Sequence, residues 1–180
     1  TGSRIVESID EVPASVTVVT RQEILDQMQV NTELQNILAT KVPGMSPSTG
    51  TSSNSSQTLR GRSALVMIDG VPQSTPLRNG ALGVRTLDAS TIERIEVIKG
   101  ATSIFGNGAS GGVINYITKK AGKEKSHIEL GLSSKASLVK LDDSVGYRVD
   151  FSADGTLDKF NYVFSVSKEE TGVQRDAQGD

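Results

Sequence analysis

The chain has 180 residues, 19 basic and 21 acidic side chains, 4% aromatic residues and no cysteine. Near-neutral charge with few aromatic rings excludes the electrostatic and stacking features of nucleic-acid binding, and the absence of cysteine excludes disulfides, thiolate metal sites and cysteine nucleophiles. The longest strongly apolar run, Ala64 to Ile68, is far shorter than the roughly 20 residues of a membrane-spanning helix, so no helical anchor is predicted.

The first predicted elements are a short strand and a helix. Val16 to Thr20 is β-branched and predicts the strand. Thr20 and Glu23 then have the spacing of a capping box, in which each side chain satisfies a backbone amide near the other residue. A helix beginning at Arg21 is therefore predicted.

A second helix and a long loop follow. The helix is predicted to begin at Asn31 or Thr32, because apolar residues then recur at helical spacing, and to end at the Val-Pro-Gly of 42–44. Residues 46–58 are rich in serine and threonine and contain no large apolar side chain, which predicts an exposed loop. Such a composition is commonest in linkers, but this stretch lies within a domain, so a binding loop is an equal alternative.

Strand segments alternate with turns in the next part of the chain. Leu59–Gly61 and Ala64–Ile68 are predicted strands, and the turn chemistry of residues 69–72, Asp-Gly-Val-Pro, ends the second one. Residues 73–82 are predicted to form another loop.

Two further strands complete the first domain. Asp88 or Ser90 is predicted to cap a short turn that leads into a strand at Ile92–Lys99. A second strand is predicted at Val113–Thr118, and the domain is expected to close near Ala121.

A two-residue alternation of apolar and polar side chains begins after residue 122. It predicts three antiparallel strands in meander order, with a turn at Asp154-Gly155. Transmembrane barrels show this pattern, and soluble meanders show it too. The apolar positions are Ile128, Leu130, Leu132, Tyr147, Val149, Phe151, Ala153, Phe160, Tyr162, Phe164 and Val166.

One motif in the chain imitates a nucleotide site. Residues 106–111 match the G-x-G-x-x-G dinucleotide fingerprint, but that motif requires a helix directly after it, and a strand is predicted here. We therefore expect these glycines to serve tight turns and close packing.

No catalytic or metal-binding constellation is predicted. His127 is the single histidine and is expected at the surface or at a strand edge. The pairs Asp142-Asp143 and Glu93/Glu96 lack the oxygen set of a calcium loop and are expected to be solvated charges. An enzyme is not expected.

Several motifs resemble, in the same order, those of the plug domain of TonB-dependent outer-membrane receptors. The resemblance covers about residues 5–121, and the alternating strands follow where this family begins its barrel. The motifs are Val12 to Thr20, Val42-Pro43-Gly44-Met45, Arg60-Gly61, Ile68-Asp69-Gly70-Val71-Pro72, Ile92 to Val97 and Gly111 to Asn115.

The resemblance implies an α+β fold in the bacterial outer membrane. Residues 1–121 would form the plug, with a small mixed four-stranded sheet and short helices. Residues 122–180 would form the first antiparallel strands of a transmembrane β-barrel of about 22 strands, and the chain would be truncated at Asp180.

The implied function is import of a ferric siderophore with energy from TonB. Arg60-Gly61-Arg62 and the segment from Glu96 to Ser103 resemble aerobactin-type, hydroxamate-like receptors. The implied partners are the siderophore, TonB with ExbB and ExbD, the chain's own barrel and outer-membrane lipid. No cofactor is implied, because iron would enter only as cargo, and nucleic acid is not a partner.

Other readings stay open. Within the family, the cargo could be haem, cobalamin, a copper or other metal complex, or a carbohydrate. Outside it, the alternating strands could belong to a structural or secreted β protein that never meets lipid.

The resemblance implies that cargo contacts the outward loops of the plug. Arg62 and Arg78 are the cationic candidates, since guanidinium groups form charge-assisted bonds with the carboxylates of an acidic chelate. The full set of predicted ligand contacts is Ser52, Ser53, Asn54, Ser55, Arg62, Thr75, Leu77, Arg78 and Asn79.

Two cations are implied to pair the plug with glutamates of the barrel wall. Arg60 matches this role, and Lys99 could fill it only without bidentate geometry. The sequence departs from the family pattern here, because Lys99-Gly100-Ala101 replaces the commoner Arg-Gly-Pro. No TonB box stands in the first ten residues, so the coupling segment is expected upstream of Thr1.

Overall fold

The computed structural model describes residues 15–47, 57–73, 87–101 and 108–173. The chain divides into two compact units, Thr1–Lys119 and Lys120–Asp180. In the described ranges, none of the helices has the length and apolarity needed to cross a membrane.

The first described elements of the first unit are strand β1, Ser15–Val19, and helix α1, Arg21–Met28. The predicted capping box is confirmed. The Thr20 amide donates to Glu23 Oε2 at 2.9 Å, and Thr20 Oγ1 accepts from the Glu23 amide at 3.4 Å. At the same end of the helix, Arg21 Nη1 donates to the carbonyl of Ile92 at 2.8 Å, which ties α1 to the sheet.

Helix α2, Leu34–Lys41, begins later than predicted. The predicted start at Asn31 or Thr32 is wrong because Asn31 Oδ1 accepts from the Glu33 amide at 2.8 Å, and Glu33 keeps an extended backbone. A short side chain that bonds its own backbone competes with a helical turn in this way. The predicted end is confirmed, since Val42 is the C-terminal cap.

Five more strands complete a mixed sheet: β2 (Thr58–Leu59), β3 (Arg62–Ile68), β4 (Val71–Pro72), β5 (Ile92–Lys99) and β6 (Gly112–Thr118). The order is β1-β5-β6-β3-β2, with β4 also paired to β3. Among the strands of the described residues, only the pairing of β3 with β6 is parallel. The four longer strands form the small mixed sheet that was predicted, and the two short strands extend it.

Two turns bracket strand β3. The predicted strand Leu59–Gly61 stops at Leu59, because Arg60 and Gly61 adopt φ values of 54° and 74° and turn the chain. Val71–Pro72, predicted as part of the turn that ends this strand, instead forms β4 and pairs with β3. The rest of the predicted turn is confirmed, and it begins at Asp69. The Asp69 carboxylate accepts from the Thr118 amide at 3.0 Å and from Thr118 Oγ1 at 2.7 Å, which fastens the turn to the end of β6.

A 3-10 turn at Ala89–Thr91 leads into β5, and Asp88 caps it by accepting from the Ser90 amide at 2.8 Å. The larger apolar core lies between the two helices and one face of the sheet. Its members include Val19, Ile24, Ile37, Leu38, Leu59, Ile95, Val97, Ile114 and Tyr116. A smaller cluster on the opposite face contains Leu65, Met67, Ile98, Ala109 and Val113.

The second unit is a three-stranded antiparallel meander, as predicted. It consists of β7 (His127–Lys135), β8 (Gly146–Leu157) and β9 (Phe160–Glu170), in that order. The predicted turn at Asp154-Gly155 is wrong, because β8 continues through both residues to the turn at Asp158-Lys159.

The two residues of the predicted turn have other roles. The Asp154 carboxylate accepts from the Gly122 amide at 2.9 Å and lies 3.1 Å from His127 Nδ1. A Cβ at Gly155 would lie 2.4 Å from the carbonyl oxygen of Lys125. This Asp-Gly pair therefore allows a neighbouring segment to approach the strand. His127 is exposed at the first position of β7, which agrees with the surface position expected for it.

Candidate functional site

Most predicted ligand contacts lie outside the described residues, and Arg62 is the one that can be placed. The others are Ser52, Ser53, Asn54, Ser55, Thr75, Leu77, Arg78 and Asn79. Arg62 is exposed at the first position of β3. The two predicted pairing residues, Arg60 and Lys99, are described as well.

The strand directions bring Arg60, Arg62 and Lys99 to one end of the sheet. Because β6 runs parallel to β3 and antiparallel to β5, the starts of β3 and β6 meet the end of β5. In register, Ala64 lies opposite Gly112, which lies opposite Lys99. We call the end of the sheet that carries these three residues the cationic end.

Two consecutive glycines make this arrangement possible. Gly112 has a φ of 135°, and a Cβ there would lie 2.1 Å from the carbonyl oxygen of Ile98. A Cβ on Gly111 would lie 2.6 Å from the carbonyl oxygen of Arg62. No side chain fits at such distances, so β6 enters between β3 and β5 only with glycine at both positions. Gly111 belongs to the G-x-G-x-x-G match, and its surroundings agree with the prediction that these glycines serve close packing rather than a phosphate.

Arg60 is positioned by the turn that it forms. Its amide donates to the carbonyl of Gly44 at 2.6 Å, and its Cγ lies 3.1 Å from where a Cβ on Gly44 would stand. The aliphatic part of the side chain therefore covers the Val-Pro-Gly segment, while the residue as a whole stays exposed. A long cationic side chain can pack its stem in this way and keep its head available.

The electrostatics of the cationic end are those of an open anion site. Within the described ranges, no carboxylate forms an ion pair with Arg60, Arg62 or Lys99. Arg60 and Arg62 are exposed and Lys99 is half-buried. Such groups can bind carboxylates or other anionic oxygens, the arginines through two parallel hydrogen bonds and the lysine as a point charge.

A buried carboxylate on the same strand was missed. Glu96 was expected to be a solvated charge, but it is 4% exposed, and Arg94 Nε and Nη2 both reach its Oε1 at 2.9 Å. It lies on the sheet face opposite the helices, in register with Val18 and Asn115. The signal was the two-residue spacing of Arg94 and Glu96, which puts both side chains on one face of a strand.

The second unit separates apolar from polar side chains. One face carries Ile128, Leu130, Leu132, Phe164 and Val166, each more than half exposed. On the other face, Arg148 is 6% exposed, its Nη1 donates to Glu169 Oε2 at 2.8 Å, and its Nε donates to Asp150 Oδ2 at 3.0 Å. Charged side chains on the polar face therefore pair with one another, and the apolar face is exposed to solvent.

Comparison with protein families decides the identity of the chain. A family model described as TonB-dependent Receptor Plug Domain matches residues 8–113. The chain belongs to this family. Plug-domain proteins of this family are parts of bacterial outer-membrane transporters and receptors, not enzymes, so the predicted family, class and location are confirmed.

Curated receptors are similar along the chain. It is 32% identical over 174 residues to the ferric aerobactin receptor of Klebsiella pneumoniae, which covers 96% of this chain and 23% of that protein. It is 38% identical over 121 residues to the rhizobactin receptor of Rhizobium meliloti, covering 67% of this chain and 16% of the relative. The chain thus spans about a quarter or less of the length of these receptors.

A solved structure supports the whole fold class. The ferric enterobactin receptor of Pseudomonas aeruginosa, in a mutant form, superposes with a TM-score of 0.67 at 28% identity and covers 90% of this chain and 25% of its own. This TonB-dependent receptor plug is therefore an α+β domain followed by the first antiparallel strands of a barrel, as predicted.

Proposed function

We propose that this chain is the gating plug, with the first barrel strands, of an outer-membrane transporter that imports a ferric siderophore with energy from TonB. The observation that carries the proposal is similarity over nearly the whole chain to a receptor named for ferric aerobactin. A second relative is named a rhizobactin receptor, and we propose a cargo of the aerobactin or hydroxamate type.

The proposed cargo contacts combine one described cation with two loops, residues 48–57 and 73–82, of which only Gln57 and Gln73 are described. Arg62 would bind a carboxylate of the ferric chelate, and Arg78 would do the same from residues 73–82. Hydroxyl and amide groups of residues 48–57 would contact the ligand's periphery. Exposure of Arg62 at the cationic end supports this assignment, because charge-assisted bonds are about twice as strong as neutral ones.

Arg60 and Lys99 are proposed to hold the plug against glutamates of the chain's own barrel. Both lie at the cationic end, and neither has a carboxylate partner within the described residues. Arg60 offers a planar fork that matches a carboxylate, whereas Lys99 offers a single ammonium group. The Lys99 contact would therefore be the weaker and the easier to break when the plug moves.

The proposed mechanism couples cargo to energy through the N-terminal edge of the sheet. Cargo binding would shift the plug and expose a segment N-terminal to β1 to TonB, which is energised by ExbB and ExbD. Among the described residues, β1 is an edge strand whose one partner is β5, so a pull on it would disturb this edge of the sheet first. Iron enters this scheme as cargo, and no cofactor is required. Outer-membrane lipid would cover the apolar face of the second unit.

Iron uptake tests the proposal and separates its alternatives. Cells that carry the full-length receptor would be given radiolabelled ferric aerobactin, other ferric hydroxamates, ferric catecholates or haem, each with and without TonB. Uptake of one ferric siderophore that requires TonB is the expected result. If the receptor reaches the outer membrane and imports none of them, the siderophore assignment is wrong, and cobalamin, other metal complexes and carbohydrates become the cargoes to test.

A further inference from the structure

The two ends of the second unit differ in how their strands are connected. Strands β8 and β9 are joined by the two-residue turn Asp158-Lys159, and β7 and β8 by the longer segment 136–145. Outer-membrane barrels place short turns on the periplasmic side and long loops outside. Since the chain belongs to an outer-membrane family, the Asp158-Lys159 end faces the periplasm.

Aromatic side chains mark this end of the apolar face. Phe160 and Tyr162 stack with ring centroids 6.4 Å apart, and Phe160 is 65% exposed. Both occupy the face that carries Phe164 and Val166, since they are separated from those residues by even numbers of positions on one strand. Exposed aromatic rings at the edge of an apolar band lie at the level of the lipid headgroups.

A lysine-bearing segment is fixed beside these rings. Tyr162 OH donates to the carbonyl of Lys125 at 3.1 Å, and the Thr156 amide donates to the carbonyl of Glu124 at 2.8 Å. Thr156 Oγ1 donates to the carbonyl of Gly122 at 2.7 Å. Residues 122–125 are thus fastened to the end of β8 and β9, and Lys123 and Lys125 are exposed there.

We propose that Lys123, Lys125 and Lys159, here named the basic rim, bind the phosphate of an anionic phospholipid in the periplasmic leaflet. Lys159 directly precedes Phe160 in the turn and is exposed. Each lysine stem can lie along the apolar edge while its ammonium group reaches the headgroup phosphate. The inference rests on the proposed membrane location of this sheet.

Local carboxylates do not neutralise the rim. Glu124 and Asp158 are the acidic neighbours in sequence, and no ion pair joins either of them to the rim lysines among the described residues. Asp154, an acid on β8 at this end, already accepts from the Gly122 amide and lies 3.1 Å from His127 Nδ1. The three ammonium groups are therefore available to a phosphate.

The test uses the full-length receptor in vesicles of phosphatidylethanolamine and phosphatidylglycerol, with native mass spectrometry to count the lipids that stay bound. The variant K123Q/K125Q/K159Q removes the rim. The matched control K135Q/K140Q/K168Q removes three lysines near the opposite end. A lysine near an anionic surface contributes about a fivefold preference, so the rim variant should lose at least about fivefold of its phosphatidylglycerol retention, and the control should keep it.

The outcomes separate the rim from the proposed function. Equal loss of phosphatidylglycerol in both variants, or no phosphatidylglycerol preference in the wild type, would contradict lipid binding by the basic rim and would leave the proposed transport function unaffected. Competition by soluble glycerol phosphate at matched phosphate would also contradict lipid binding, because the site would then bind free phosphate rather than lipid. A wild-type receptor that does not insert into vesicles at all would instead contradict the membrane role on which the rim depends.

Discussion

Gly112 shows how a single residue decides the geometry of the cationic end. A Cβ at this position would lie 2.1 Å from the Ile98 carbonyl, and its φ of 135° is unfavourable for any other residue. Gly100 also has a positive φ, 106°, but nothing lies within 4 Å of its Cβ position. A substitution at Gly112 therefore introduces both a clash and backbone strain, whereas a substitution at Gly100 introduces backbone strain alone.

We expect Gly112→Ala to open the pairing of β5 with β6, with a loss of roughly 3 kcal/mol or more, because strain and overpacking each cost about 1–3 kcal/mol. Gly100→Ala should cost only the strain. Hydrogen exchange of the β5 and β6 amides in the full-length receptor measures the difference. Equal exchange in the two variants would show that β6 can move away from Ile98 without breaking the sheet.

Arg62 carries the electrostatic part of the proposed function at the residue scale. Arg62→Ala should weaken binding of an acidic ferric siderophore by about tenfold or more, since a hydrogen bond to a charged group contributes about 1.5–3 kcal/mol. Arg62→Lys should recover only part of that loss, because an ammonium group lacks the bidentate geometry. Titration of the purified receptor with the ferric siderophore gives both dissociation constants.

The control for Arg62 is Lys41, which lies on α2 and contacts Glu23 at 3.8 Å. Lys41→Gln removes the same charge away from the cationic end and should leave the dissociation constant unchanged. A similar loss in both variants would mean that overall charge, rather than Arg62, determines binding.

At the scale of elements, helix α1 owes its start to a carboxylate that responds to pH. The pKa of Glu23 is lowered chiefly by the hydrogen bond from the Thr20 amide, then by the Thr20 hydroxyl. A lowered pKa stabilises the folded state above the ordinary carboxylate pKa of about 4.3. This stabilisation is lost as pH falls through the lower pKa of the folded state.

We therefore expect Glu23→Gln to destabilise the first unit modestly at neutral pH and to have less effect as the pH falls below about 4. Thr20→Ala removes the cap itself and should cost about 1 kcal/mol, with part of the cost remaining at low pH. Urea unfolding of the receptor's plug across this pH range compares the variants. A pH-independent difference between wild type and Glu23→Gln would argue against a charged cap.

The elements that could be predicted from the sequence were those set by local contacts. The capping box of Thr20 and Glu23 and the strand alternation of the second unit each depend on residues a few positions apart. Errors arose where a distant or competing partner intervened. The side chain of Asn31 accepts a hydrogen bond from a backbone amide that a helix would have used. Gly155 allows the close approach of Lys125, which is distant in sequence.

The candidate site was predictable only in part, because its arrangement depends on contacts between residues that are distant in sequence. The resemblance predicted roles for Arg60, Arg62 and Lys99, and these roles stay predictions. The meeting of the three residues at one end of the sheet depends on the parallel pairing of β3 with β6. Burial of Glu96 likewise depends on strands that flank it on both sides. Neither fact follows from residue spacing alone. The residues of the two predicted loops, including Arg78, remain predictions.

At the scale of the whole molecule, the open apolar face of the second unit requires a cover. Large side chains such as Leu130, Leu132 and Phe164 are more than half exposed along it, and the outer edges of β7 and β9 are unpaired within the described residues. Apolar patches and open strand edges of this kind drive association in water.

We expect the isolated 180-residue chain to self-associate in aqueous buffer and to stay monomeric in detergent micelles, which cover apolar surface. Sedimentation velocity in the two solvents measures the change. The matched variant L130E/L132E/F164E should reduce association in water. A wild-type chain that is monomeric in both solvents would show that the apolar face is covered by other means.

The position of β6 also determines the order in which the first unit can be completed. It is the last strand of that sheet in the chain, yet it stands in the middle, between β5 and β3. Until it arrives, β1 with β5 and β2 with β3 are two separate half-sheets that share no hydrogen-bonded edge. Long-range pairing of this kind makes folding slow. The first unit consequently cannot complete its sheet until residue 118 is available, so a chain that ends before β6 is expected to remain loosely structured.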